Sequence, residues 1–253
     1  MRGRRLLCRR PPASLLLDTV TVVGRSLTRV DQLSKDPSSW EYEDNNGTAA
    51  VLTWTGDVLY GHINMGEGDS FVIEPTGDSN MVVLKEEDTS AWKDDEEQEE
   101  EDRAAAMRDA VPLAPHLVEQ GRADTTTIAT FTVTVYVTKT FKKKTSNYEL
   151  FIQQVIDETN QGYINSGAKI RIALHCIQET DIADGQKTAT MLSQLRSLGS
   201  FNEVRKSADT AILLANKLPD YCGMNAFDVI SSGGTLGVVA KSCALGYLSL
   251  IHI

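Results

Sequence analysis

Positive charge is what this sequence lacks most: 25 Lys and Arg stand against 35 Asp and Glu, a net charge of −10. A general nucleic-acid binder needs a basic face to displace counterions from phosphate, so that class drops out. Nowhere do about 18 apolar residues run without a charge, so no helical membrane span is expected. Cysteine is scarce, and Cys8, Cys176, Cys222 and Cys243 never show the close pairing of a structural zinc site. The last three share the C-terminal half, an odd number that fits one disulfide plus a cysteine whose partner is missing. The glycines of "SSGGTLG", Ser231 to Gly237, precede no helix pattern, which excludes a phosphate-binding loop and a dinucleotide fold.

What is present is ordinary for a globular protein: 253 residues, 41% hydrophobic and 24% charged, enough for one large domain or two small ones. Residues 1–39 form a leader, cationic and then apolar ("MRGRRLLCRRPPASLLLDTVTVVG"), in the order of a secretory signal. Asp18 interrupts the apolar part and no small-x-small cleavage site follows, so the leader reads either as a degraded signal or as an arbitrary extension. Residues 40–85 form a β-rich module. Its short runs "AAVLTWTG", "DVLYGHINMG", "DSFVIEP" and "NMVVLKE" are separated by Gly, Asp, Asn and Pro, the residues that turns demand. His62, with Glu67 and Asp69, reads as turn and surface rather than as a metal site. Asn46-Gly47-Thr48 is a formal glycosylation acceptor, which together with the cysteines leans toward an oxidising, extracellular setting. Residues 86–128 form an acidic linker, since "EEDTSAWKDDEEQEEED" repels itself and stays solvated.

From residue 129 the pattern changes. "FTVTVYVT" alternates as a strand should, with Phe131, Val133, Val135 and Val137 on one face. A helix follows over Tyr148 to Asn165, capped by Ser146 or Asn147, with Phe151, Ile152, Val155, Ile156, Thr159 and Tyr163 toward the core. "KIRIALHCIQ" predicts a second strand whose inward row is Ile170, Ile172, Leu174 and Cys176. "GQKTATMLSQLRSLG" predicts another helix, and "ADTAILLA", apolar on both faces, a central parallel strand. The order strand, helix, strand, helix, strand predicts an α/β fold: a mostly parallel twisted sheet with helices on both faces, behind the small β-rich module.

The stretch "ADTAILLANKLPDYCGMNAFDVISSGGTLGVVAKSCALGY", Ala208 to Tyr247, closely resembles zinc metallopeptidases of the metzincin clan, in particular the reprolysin (adamalysin, ADAM-like) group. The resemblance covers roughly residues 129–247, and the upstream β-rich module is similar to the propeptide of such zymogens. It implies a secreted endopeptidase precursor that cleaves a polypeptide substrate with zinc-activated water. It further implies that Gly223, Met224, Asn225, Ala226 and Phe227 form the edge strand bordering the cleft, where an extended substrate adds as a further strand. A disulfide between Cys222 and Cys243 would pin that rim; the alternative is two buried thiols.

The family's zinc helix, His-Glu-x-x-His-x-x-Gly-x-x-His, is not in this sequence. Its histidines are His62, His116, His175 and His252, and no two are spaced to share a helical face. A catalytic zinc normally has three protein ligands. None is therefore expected to bind this chain, which should be inactive as written. Residues 248–253, "LSLIHI", read as an aberrant tail where the zinc helix would follow, through truncation or artefact rather than natural loss. No cysteine between Cys8 and Cys176 could cap a zinc, so any latency would be steric. The alternative from another class is a non-catalytic secreted binder or decoy built on the same half-domain.

Overall fold

The computed structural model describes residues 6–9, 19–22, 25–35, 38–56, 58–65, 69–76, 81–86, 127–198, 208–220, 222–226 and 235–244. They fall into two compact units: Met1–Asp88 with Thr145–Gln161, and Thr89–Lys144 with Gly162–Ile253.

The first unit is built on eight antiparallel strands: β1 (Leu6–Arg9), β2 (Thr19–Val22), β3 (Arg25–Lys35), β4 (Ser38–Glu43), β5 (Ala49–Thr55), β6 (Val58–Asn64), β7 (Ser70–Pro75) and β8 (Met81–Glu86). Their order is β1-β8-β7-β6-β5-β4-β3-β2. Strands β5 to β8 are the four runs read from the sequence. The sheet also takes in β4 and, from the residues read as leader, β1 to β3. Strand β3 hides its pattern: the register shifts between Arg29 and Gln32 and again between Gln32 and Ser34, so its alternation breaks. One face carries the core of Leu27, Tyr42, Ala50, Leu52, Ile63, Ile73, Val82 and Leu84. At the β4–β5 turn, Asp44 Oδ1 accepts the N–H groups of Asn46 (2.7 Å) and Thr48 (2.9 Å), and Gly47 takes φ +79°.

The opposite face of β4 to β6 carries polar side chains, because successive residues alternate and Ser39, Thr53 and Tyr60 lie in register across three strands. Glu41, Val51 and His62 form the next row. Against this face packs the first part of α2 (Tyr148–Asn165; α1 is Lys139–Lys144). Asn147, at φ +46°, starts α2 by accepting the Leu150 N–H at 3.4 Å, a conformation Asn tolerates better than most residues. The helix then buries more than its apolar stripe. Gln154, Asp157 and Glu158 are only 0%, 2% and 8% exposed.

The second unit is the mostly parallel sheet, ordered β10-β9-β11-β13-β12. Its strands are β9 (Ala129–Thr138), β10 (Ile170–Thr180), β11 (Thr210–Ala215), β12 (Gly223–Ala226) and β13 (Thr235–Ala240). β11 pairs in parallel with both β9 and β13, so a strand apolar on both faces sits where both faces are covered. Helix α3 (Thr188–Ser197) places Met191, Leu192 and Leu195 on Tyr136, Ala211, Leu213, Leu236 and Val238. The other row, Val133, Val135, Val137, Ile212, Leu214 and Val239, is equally buried. The fold is α/β.

One predicted row is corrected. A bulge at His175 puts Leu174 opposite Val133 but Cys176 opposite Thr134. A one-residue slip turns a side chain to the other face, so Cys176 leaves the row of Ile170, Ile172 and Leu174. Its sulfur lies 3.5 Å from the Thr134 hydroxyl.

Candidate peptide-binding edge

The second sheet reverses direction once, at its edge. β12 runs antiparallel to β13, pairing Gly223 with Val239, Met224 with Val238, Asn225 with Gly237 and Ala226 with Leu236. Just before it, the Ala240 N–H donates to the Cys222 carbonyl at 2.8 Å. Hydrogen-bonded and non-bonded pairs alternate along such a ladder, so Met224 faces β13 with its main chain and Asn225 turns its own away. An edge with outward main-chain groups is what an incoming extended peptide adds to.

Three restraints hold this strand in place. Cys222 and Cys243 are disulfide-bonded, with Cα atoms 5.5 Å apart, tying the start of β12 to the single helical turn after β13. The Met224 side chain packs against the α3 core. The third restraint is polar. Lys187, at the start of α3, makes no side-chain cap, and Asp220 caps the helix instead from the loop that leads into β12. The Thr188 N–H reaches both Asp220 oxygens at 3.2 and 3.1 Å, and the Thr188 hydroxyl donates to Oδ1 at 2.5 Å. The Asn216 N–H donates to Asp184 Oδ2 at 3.1 Å, fixing the other end of the same loop. At the opposite end of β11, Asp209 Oδ2 accepts both the N–H and the hydroxyl of Thr132 at 2.7 Å. The main-chain donor, then the hydroxyl, holds the Asp209 carboxyl below its usual range.

Of the residues picked from the sequence, Gly223, Met224, Asn225 and Ala226 lie together in β12, and Phe227 lies outside the described residues. Asn46 is exposed in the β4–β5 turn, while Thr48, two residues on, is buried and its hydroxyl accepts a hydrogen bond from Arg25 Nη1 at 2.8 Å. His62 is not the turn and surface residue expected. It lies within β6, its Nδ1 2.5 Å from Glu158 of α2, because the polar face of the sheet is covered there by the helix. Asp220, Asp184 and Thr188 had no sequence signal as a group; only the Asp-rich loop before α3 and the Asp ahead of Cys222 hinted at caps.

These residues do not fit a catalytic zinc. Among the described residues, no three His, Cys, Asp or Glu side chains converge as ligands. His62 is engaged by Glu158, and His175 is exposed on β10, at the sheet edge away from β12. His116 and His252 lie outside the described residues.

No family model matches the chain. It is 26% identical over 260 residues to a peptidyl-Asp metalloendopeptidase of Stenotrophomonas maltophilia strain K279a, covering 99% of this chain and 60% of that one. A protein of the same name in strain R551-3 is 25% identical over 219 residues, with 83% of this chain and 50% of that one covered. Another in Xanthomonas campestris pv. campestris is 25% identical over 213 residues, covering 81% and 49%. The chain is related to metallopeptidases. It spans about half to three-fifths of the length of these relatives, and none of them points to the reprolysin group in particular. Among solved structures, metalloproteinase-II from Bacteroides fragilis aligns over 97% of this chain and 78% of its own at 12% identity. Its TM-score of 0.47 is too low to carry an argument.

Proposed function

We propose that the chain supplies the prosegment and the peptide-binding wall of a secreted zinc metalloendopeptidase precursor, with β12 receiving an extended polypeptide. The observation that carries this reading is β12 itself: an antiparallel edge strand on an otherwise parallel sheet, pinned by a disulfide, with the main-chain groups of Asn225 facing away from β13. The names of the relatives support the reaction class, and the disulfide supports an oxidising compartment. Zinc, where bound, would polarise the attacking water. Among the described residues no set of ligands for it converges, so the part assigned to this chain is to hold and orient substrate.

The test is to express the gene's whole reading frame beside the chain as written, and to assay peptides containing Xaa-Asp and Xaa-Ala bonds with and without a zinc chelator. Chelator-sensitive cleavage by the former and none by the latter is expected. Cleavage indifferent to the chelator would end this reading. One observation favours a second reading, a non-catalytic binder: the edge strand is complete without any metal ligand. Peptide binding with no cleavage by either form would select it.

A further inference from the structure

The polar face of the N-terminal sheet and the polar side of α2 bury three carboxyl groups. Asp157 is 2% exposed, Glu158 8% and Glu41 4%. The His62 imidazole lies 2.5 Å from Glu158 and in register with Glu41 through Val51. Neutral contacts join the two sides as well. Gln154 Nε2 donates to the Val51 carbonyl at 3.0 Å, Gln153 Nε2 to Asp157 Oδ1 at 2.9 Å, and the Tyr60 hydroxyl to the Ser146 carbonyl, with the Tyr60 ring edge-on to Phe151. The Ser39 hydroxyl bonds both Asp157 and, at 2.8 Å, Thr53. Such a joint sets buried carboxyls against an imidazole, amides and hydroxyls.

We propose that this joint is an acid-closed latch: the β4–β6 face holds α2 firmly in acid and loosens its hold as the pH rises toward neutrality. Buried carboxylates cost most when ionised and least when protonated. Burial, reinforced by the neighbouring Glu158 charge and only partly offset by Gln153 and Ser39, pushes Asp157 from 3.8 up to about 6. A raised carboxyl means that the closed form holds its proton more tightly than the open form. Its stabilisation is complete below 3.8 and declines as the pH climbs to about 6, staying at that lower level above it. His62 stands beside Glu158, and the pair is ionic only when the imidazole is protonated. Glu41 adds a further buried carboxyl to the same face. The inference goes beyond the peptidase reading, because the latch depends only on groups within this unit.

Hydrogen exchange on the full chain tests it, with rates corrected for the intrinsic effect of pH. From Asp157 alone, opening of the α2 amides Phe151 to Glu158 should rise about tenfold between about pH 5 and about pH 8. The amides of β11, in the other unit, should not share that rise. In Asp157→Asn most of the rise should disappear, and Glu158→Gln should lessen it. An equal pH response in α2 and β11, or an unchanged response in Asp157→Asn, would overturn the proposal. Should Asp157→Asn not fold, the comparison of α2 with β11 in the unaltered chain decides alone.

Discussion

Replacing Asp220 by alanine removes the carboxylate that caps α3 from a distance of 32 residues in sequence and anchors the approach to β12. Two donors lose their acceptor: the Thr188 N–H at the helix start and the Thr188 hydroxyl. Loss of an N-cap typically costs about 1 kcal/mol, and an anion at a helix N-terminus adds about 0.3 to 1 kcal/mol. Thr188 is fully buried, so its hydroxyl would be stranded at about a further 1 kcal/mol. Asp220 is exposed, so water competes for its carboxylate and the lower end applies. The expected loss is about 2 kcal/mol. Urea unfolding followed by circular dichroism measures it, and a double-mutant cycle with Thr188→Val isolates the pair. A coupling of about 1 kcal/mol or more is predicted. A change below about 0.5 kcal/mol in Asp220→Ala, or a coupling near zero, would refute the remote cap and with it this explanation of how the edge strand is placed.

Converting both Cys222 and Cys243 to alanine opens a loop of 21 residues and should cost about 3 kcal/mol, read from the shift of the unfolding midpoint under non-reducing conditions. Gly61→Ala should destabilise the first unit by about 1 to 2 kcal/mol, because its Cβ would stand 2.6 Å from Leu52 Cδ2 and 3.2 Å from Ile73 Cδ1; differential scanning calorimetry checks this. Leu213→Ala should cost about 2 to 5 kcal/mol in the same assay, since its side chain is 0% exposed in the α3 core. Asp209 predicts a pH response opposite in sign to that of Asp157. Its carboxyl is depressed, so its contribution is full above 3.8 and lost as the pH falls through its lowered value. Asp209→Asn should therefore weaken the chain at neutral pH and flatten its acid unfolding curve.

Elements dictated by local pattern were legible in the sequence. The apolar run of β11 announced a central parallel strand, and the spacing of Phe151, Val155, Thr159 and Tyr163 behind Asn147 fixed α2 within its bounds. The edge strand at Gly223 came from resemblance, not periodicity; four residues are too few to show a period. What stayed hidden depended on partners distant in sequence. Gln154, Asp157 and Glu158 lie off the apolar stripe of α2, and only a sheet formed about a hundred residues earlier makes their side an interior. Likewise a cap is sought next to the helix it serves, so Asp220 escaped notice. The bulge at His175 leaves no mark in a strand whose residues are nearly all apolar or basic.

The central claim is that β12 presents main-chain groups to an extended peptide, and residue-resolved amide exchange by NMR tests it most directly. On addition of an unstructured peptide at saturating concentration, the Asn225 amide should become protected. The Met224 amide, already bonded to β13, should hardly change. Equal protection of both, or binding that leaves Asn225 untouched, would contradict the account.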